Sequence, residues 1–292
     1  MKKLISAGIA SLVLGGSAVA YDSSMYKGYS YFGTGVDNFS YSEKFLYTFK
    51  SPYTTANGVK YNTGDVVAVK SKSTANNIIY VSGGLIEMTP KWDLSMDFVS
   101  TLKPQVVDEE WTDRGNDETI VKNNSTVFTN SMMFLLHYKL TDNHRITFGT
   151  NYVLNIFKRF DDPDQYGNQK LTEETVATLM ADIGYWFESA PVTRDGGFRL
   201  KYNLTFGLPV YEDVTNTAAP GLDITNTSGY NIDTSIYLGY GLFKGLEVGI
   251  FTSYSYMYRD GDSTEYNGQE IIWPTNITQS LRGGLEVSWK FN

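Results

Sequence analysis

His137 and His144 are the only two imidazoles in this 292-residue chain, which has no cysteine. Any Ser/His or Cys/His catalysis, and any transition-metal binding, would have to use them. Both lie close to the polar triplet Thr141-Asp142-Asn143, and His137 shares its parity with Lys139 and Thr141. Two histidines without a thiolate make no transition-metal ligand set of standard spacing. Gly33-Thr34-Gly35 opens like a dinucleotide loop, but Asn38 stands where the last glycine belongs and no helical pattern follows. No cofactor is expected. Carboxylates are more crowded: Asp108, Glu109, Glu110, Asp113, Asp117 and Glu118 fill one stretch, and Asp161, Asp162 and Asp164 another. Hard oxygen donors at that density could hold Ca²⁺, although neither stretch has the ligand spacing and central glycine of an EF-hand. A solvated, repulsive surface is the simpler reading, and a divalent cation at Asp108, Glu109, Glu110, Asp113, Asp161, Asp162 and Asp164 is the alternative.

The elements that would position such groups start with an export signal. Lys2 and Lys3 precede an apolar run, Leu4 to Leu14, and Ala18-Val19-Ala20 has the small-x-small form of a cleavage site. Residues 1–20 are therefore read as a removed signal peptide and 21–292 as one domain. The formal charge of −8 becomes −10 without Lys2 and Lys3. Nucleic acid is a poor partner for such a chain, because phosphate binding needs clustered Lys and Arg. No later apolar run approaches the roughly 20 residues of a membrane helix.

Alternation dominates the rest. Phe128, Met132, Phe134, Leu136, Tyr138 and Leu140 share one parity, with Thr129, Ser131, His137 and Lys139 on the other. After the turn Thr141-Asp142-Asn143, Ile146, Phe148, Tyr152, Leu154 and Ile156 alternate with Arg145, Thr147, Asn151 and Asn155. The same two-faced pattern recurs from Phe198 to Leu208, Leu246 to Tyr258 and Ile277 to Phe291. These are amphipathic strands. They run roughly 12 to 16 residues, enough for the 9 to 11 of a tilted membrane strand. Tight turns near Thr89–Lys91, Thr141–Asn143 and Phe243-Lys244 alternate with long polar stretches: Lys103–Ser125, Phe160–Glu173, Glu212–Gly229 and Arg259–Thr275. The prolines fall in or beside turns and loops, or at a strand end.

The fold expected is all-β: a transmembrane antiparallel up-and-down barrel with short periplasmic turns and long outer loops. Nine strands follow Asn76. Tyr26–Tyr41 supplies a tenth, with Ser42–Ala75 as a first loop. A turn at Asp37-Asn38 would instead give twelve, and ten is favoured. Parity then directs Asp93, Asp97, Lys139, Arg145, Asp182, Arg199, Lys201, Asp233, Glu247, Arg282, Glu286 and Lys290 into the lumen. A barrel this narrow leaves a plug, a narrow aqueous pore or a specific ligand site for them. In a plug, opposite charges pair across the barrel, because an unpaired buried charge costs several kcal/mol.

The signal, the long aromatic strands and the terminal Leu285-Glu286-Val287-Ser288-Trp289-Lys290-Phe291 resemble those of bacterial outer-membrane β-barrel proteins, including free-standing autotransporter-like barrels. The resemblance implies Gram-negative export and an outer-membrane location. It also implies contact with outer-membrane lipid and lipopolysaccharide, and a C-terminal strand read by the barrel-insertion machinery, here with Asn292 after the terminal Phe. Omptin-like proteases in this class use an Asp-His pair at the outer rim, whereas both histidines lie beside a proposed periplasmic turn. No enzyme is expected. The functional expectation is a closed or narrow structural, surface-interaction barrel. A porin-like passive channel is the alternative, and an outer-membrane hydrolase the weakest.

Overall fold

In the computed structural model, residues 27–160, 170–189, 196–217, 219–243, 245–266 and 269–291 are described. The signal segment, and Asp161, Asp162 and Asp164, lie outside them. β1 (Lys27–Thr48) leads to a small hairpin, β2 (Tyr53–Thr54) and β3 (Lys60–Tyr61). There follow β4 (Val66–Thr89), β5 (Trp92–Lys103), β6 (Val107–Asp113), β7 (Thr119–Lys139), β8 (His144–Phe160), β9 (Lys170–Glu188) and β10 (Phe198–Asn216). The remainder is β11 (Ala219–Ile224), β12 (Gly229–Phe243), β13 (Leu246–Arg259), the hairpin β14 (Asp262–Tyr266) and β15 (Gln269–Trp273), and β16 (Thr275–Phe291). Successive long strands pair antiparallel, and β1 pairs with both β4 and β16, which closes the ring. Ten strands go round it when β5 and β6 are counted as one. Asp37 and Asn38 lie within β1, so the twelve-strand alternative does not occur.

β5 and β6 are one strand interrupted at Pro104: both pair with β4 on one side and β7 on the other. Proline has no N–H for the ladder, so the chain bulges there. Gln105 closes the gap: its N–H donates to Asn77 Oδ1 at 2.9 Å, and its Oε1 accepts from the Asn76 N–H at 2.8 Å. A second bulge follows Pro209. Val210 and Tyr211 both face outward, so parity flips and Glu212 turns inward.

One end of the barrel carries tight turns, among them Leu140–Asn143 and the turn through Gly245, whose φ of 77° suits glycine. Towards this end the outer wall is apolar, exposing Phe32, Phe148, Ile183, Leu204, Phe206, Ile250 and Leu285. Aromatic pairs border the belt. Phe32–Trp289, Trp92–Tyr138 and Phe198–Tyr240, with ring centroids 5.8, 5.0 and 5.1 Å apart, lie near the turns. Phe206, Tyr230 and Tyr256 stack at the other border.

Beyond the belt the polarity inverts. Along β1 the outward residues become Asn38, Ser40, Ser42 and Lys44, while Phe39, Tyr41, Phe45 and Tyr47 point inward. β4 matches, with Lys70, Lys72, Thr74 and Asn76 outside and Val69, Ala75 and Ile79 buried. This half has the wall of a water-soluble barrel and an apolar core. Phe39, Tyr41, Val127, Phe157, Val176, Val214, Ile224 and Trp273 form one cluster, with the Tyr41 and Phe157 rings 4.4 Å apart. Phe49, Tyr61, Val69 and Ile120 form another. Burial of each such side chain contributes about 1.5–3 kcal/mol.

The inversion corrects the sequence-based boundaries. Much of Ser42–Ala75, Lys103–Ser125 and Glu212–Gly229, expected as loop, is strand, and Arg259–Thr275 is largely a hairpin. The alternation used to find strands requires an apolar outer face, and the outward residues of these segments are largely polar.

Candidate functional site

Strand parity alone gathers charge inside the belt half, because alternate residues must point into the ring. At the turn end the gathered groups form a continuous ionic layer. Asp93 on β5 is held by Lys139 Nζ at 2.9 Å and Arg145 Nε at 2.7 Å. Arg145 Nη1 reaches Glu188 Oε2 at 3.2 Å, and Arg199 Nη1 meets Glu188 Oε1 at 3.1 Å. Arg199 Nη2 then reaches Glu247 Oε1 at 2.8 Å. Tyr29 and Tyr237 donate their hydroxyls to Glu188 and Glu247, each at 2.7 Å. Lys201 pairs with Glu286 at 2.9 Å and sits 4.1 Å from the Tyr237 ring centroid and 4.7 Å from that of Tyr31. Arg199 and Glu247 are both 2% exposed or less, so these charges are removed from water and depend on one another.

Above this layer is an internal chamber of about 160 Å³. Asp97, Lys201, Asn151, Asp233, Arg282 and Glu286 line it, among others. Tyr31 donates to Asp97. Arg282 Nε is 3.5 Å from Asp37 Oδ2, which lies on β1. Further from the turns, Arg159 bridges Glu43 at 2.7 Å and Glu109 at 2.8 Å, and Arg259 meets Glu212 at 2.7 Å. The buried apolar clusters occupy the same half of the barrel as these pairs.

Of the residues picked from sequence, Asp93, Lys139, Arg145, Arg199 and Glu247 share the ionic layer, Lys201 and Glu286 pair beside it, and Asp97 and Arg282 border the chamber. Asp182 and Asp233 lie deeper on β9 and β12. Lys290 is apart from them, half-buried at the turn-end rim beside Gly245. The acidic stretch read as a loop is β6, so its residues alternate between faces. Asp108 and Glu110 point out, the latter towards Lys122 at 3.2 Å. Glu109 points in to Arg159, and Asp113 accepts from Tyr61 at 2.8 Å. They do not converge on one cation. Sequence reasoning missed Tyr29, Asp37, Glu43, Arg159, Glu188, Glu212 and Arg259. Parity extended to the strand ends would have found most of these, while Glu212 was hidden by the bulge.

Ser95 and His137 also meet inside the barrel, with Ser95 Oγ 2.8 Å from His137 Nε2. Both side chains are buried, and His137 Nδ1 has no partner among the described residues. No carboxylate among the described residues meets Nδ1, and the His137 ring packs edge-on against Trp186, centroids 4.9 Å apart.

A closed antiparallel ring with an apolar belt, aromatic borders and tight turns at one end defines a β-barrel of the outer-membrane type. No protein-family model and no curated protein matches the chain. Among solved structures it is similar to the outer membrane protease OmpT from Escherichia coli, at a TM-score of 0.63 and 10% identity over 91% of this chain and 97% of that one. Looser matches are the translocator domain of the autotransporter NalP from Neisseria meningitidis (10% identity, 98% of both chains, TM-score 0.36) and a FadL homologue from Pseudomonas aeruginosa (8%, 91% of both chains, 0.31). The likeness to OmpT is one of fold.

Proposed function

We propose that this chain is an integral outer-membrane barrel with a closed lumen, and that its water-facing half serves as a surface platform for interaction. The observation that carries the reading is the ionic layer running from Lys139 through Asp93, Arg145, Glu188 and Arg199 to Glu247 across the turn end. It leaves no excess of one charge sign to draw ions through, and the apolar clusters occupy the opposite half. The belt sits in lipid, the tight turns face the periplasm, and the inverted half projects outward. Lys44, Lys70 and Lys72 lie on the outer wall just beyond the belt, where lipopolysaccharide phosphates would meet them. β16, ending at Phe291, is the strand offered to the insertion machinery.

Conductance in a planar bilayer tests the reading. The closed barrel gives no steady current at any modest voltage. A steady, ion-selective current would replace it with the channel reading, in which the chamber is a section of pore.

A further inference from the structure

Asp182 on β9 has Gly149 of β8 opposite it on one side and Gly207 of β10 on the other. Its carboxylate leans over Gly207, where a Cβ would stand 2.2 Å from Oδ1. That lean carries it towards β12, where Asn231 is opposite Gly207 and Asp233 lies two residues further on. Asn151, on β8, crosses the same space to donate from Nδ2 to Asp233 Oδ2 at 3.3 Å, and Asn231 donates to that oxygen as well. Asn151, Asn231 and Asp233 therefore meet at one spot at the edge of the chamber, and the lean of Asp182 aims its carboxylate towards them.

Asp233 takes these donors, but several other oxygens at that spot have none. Both carboxylate oxygens of Asp182, the amide oxygens of Asn151 and Asn231, and Thr205 Oγ1 opposite Asp233 are buried with no hydrogen-bond partner among the described residues. Asp182 is 6% exposed, Asn151 3%, and Asn231 and Thr205 1% each. Of the two cations lining the chamber, Lys201 is paired with Glu286, while Arg282, 3.5 Å from Asp37, also faces Asp233; among the described residues Asp182 has no cation beside it. A buried carboxylate without donor or cation is strongly unfavourable. Among the described residues no group of three or more His, Cys, Asp or Glu side chains is placed to hold a metal ion. This site has instead two carboxylates and several neutral oxygens, the hard donor set of an alkaline-earth ion, and flexible side chains suit calcium's tolerance of irregular coordination.

We propose that Asp182 and Asp233, with the side-chain oxygens of Asn151, Asn231 and Thr205, bind one Ca²⁺ inside the barrel. The ion joins β8, β9, β10 and β12 at mid-height and is distinct from the acidic stretch on β6.

The test is to refold the full chain in detergent with CaCl₂, pass it into calcium-free buffer, and count retained calcium by atomic emission. Wild type should retain one ion per chain and melt higher than a preparation refolded in EGTA. Asp182→Asn and Asp233→Asn, each confirmed as folded by its heat-dependent shift in gel mobility, should retain none and show no calcium-dependent melting shift. Gly207→Ala, which puts a methyl against the Asp182 carboxylate, should weaken retention. Asp108→Asn with Glu110→Gln, on the outer wall, should leave it unchanged. Wild type that retains no calcium, or a folded Asp182→Asn that keeps it, overturns the proposal. A wild type indifferent to calcium but stabilised at neutral pH by Asp182→Asn would mean that the two carboxylates share a proton instead.

Discussion

Arg199 and Glu247 hold each other in three contacts, with Nη2 2.8 Å from Oε1 and Nε donating to both carboxylate oxygens at 3.1 Å. The guanidinium also lies 4.6 Å from the Tyr29 ring centroid and 5.2 Å from that of Tyr237. Neither partner is replaceable alone. Arg199→Met should cost about 3–5 kcal/mol, because it strands the Glu247 charge out of water. Adding Glu247→Gln should recover part of that loss. Urea unfolding in lipid vesicles measures both, and a double variant no better than the single one would contradict the coupling.

A like-charge contact marks the outer wall, where Lys44 and Lys70 are directly opposite across the β1–β4 ladder. Like charges in that position destabilise a sheet by a few tenths to about 1 kcal/mol. An anion bound between them removes the repulsion. In a zwitterionic detergent, Lys70→Glu should therefore raise the melting temperature slightly. In lipopolysaccharide-containing vesicles it should lower it relative to wild type. The same sign of effect in both media would remove these lysines from any lipid contact.

Height on the wall should decide the cost of a charge. Arg at Leu204 or Phe148, within the belt, should destabilise the barrel by about 2–4 kcal/mol if near the bilayer midplane. Arg at Ser42 or Thr74, outward but beyond the belt, should change stability by less than about 0.5 kcal/mol. Equal penalties in vesicle unfolding at both heights would place the membrane elsewhere on the barrel.

The lower halves of the strands are legible because their outer face is apolar, as in Phe198–Leu208, where Arg199 and Lys201 occupy the buried parity. The upper halves are not. On β1, Ser42 and Lys44 look like loop residues until Tyr41 and Phe45 are seen packing inward. Pro104 concealed the continuity of β5 with β6, and the bulge after Pro209 reversed the parity that would have revealed Glu212. The carboxyl cluster at Asp182 was only half legible: parity directs Asp182 and Asp233 inward, but their meeting depends on glycine at 207, on a strand between them.

The inverted polarity of the outer half also gives membrane insertion a direction. In the orientation proposed above, Lys44, Lys70, Lys72 and Glu110 are carried across the bilayer before they reach water. A folded form of that half passes only at the cost of burying the charges on its wall in lipid. The strands therefore cross unfolded and build the Tyr41–Phe157–Trp273 core only on the far side. Once packed, that core cannot be drawn back through lipid without being taken apart, so it works as a barb, and withdrawal is opposed by the stability of a domain that the membrane never touches.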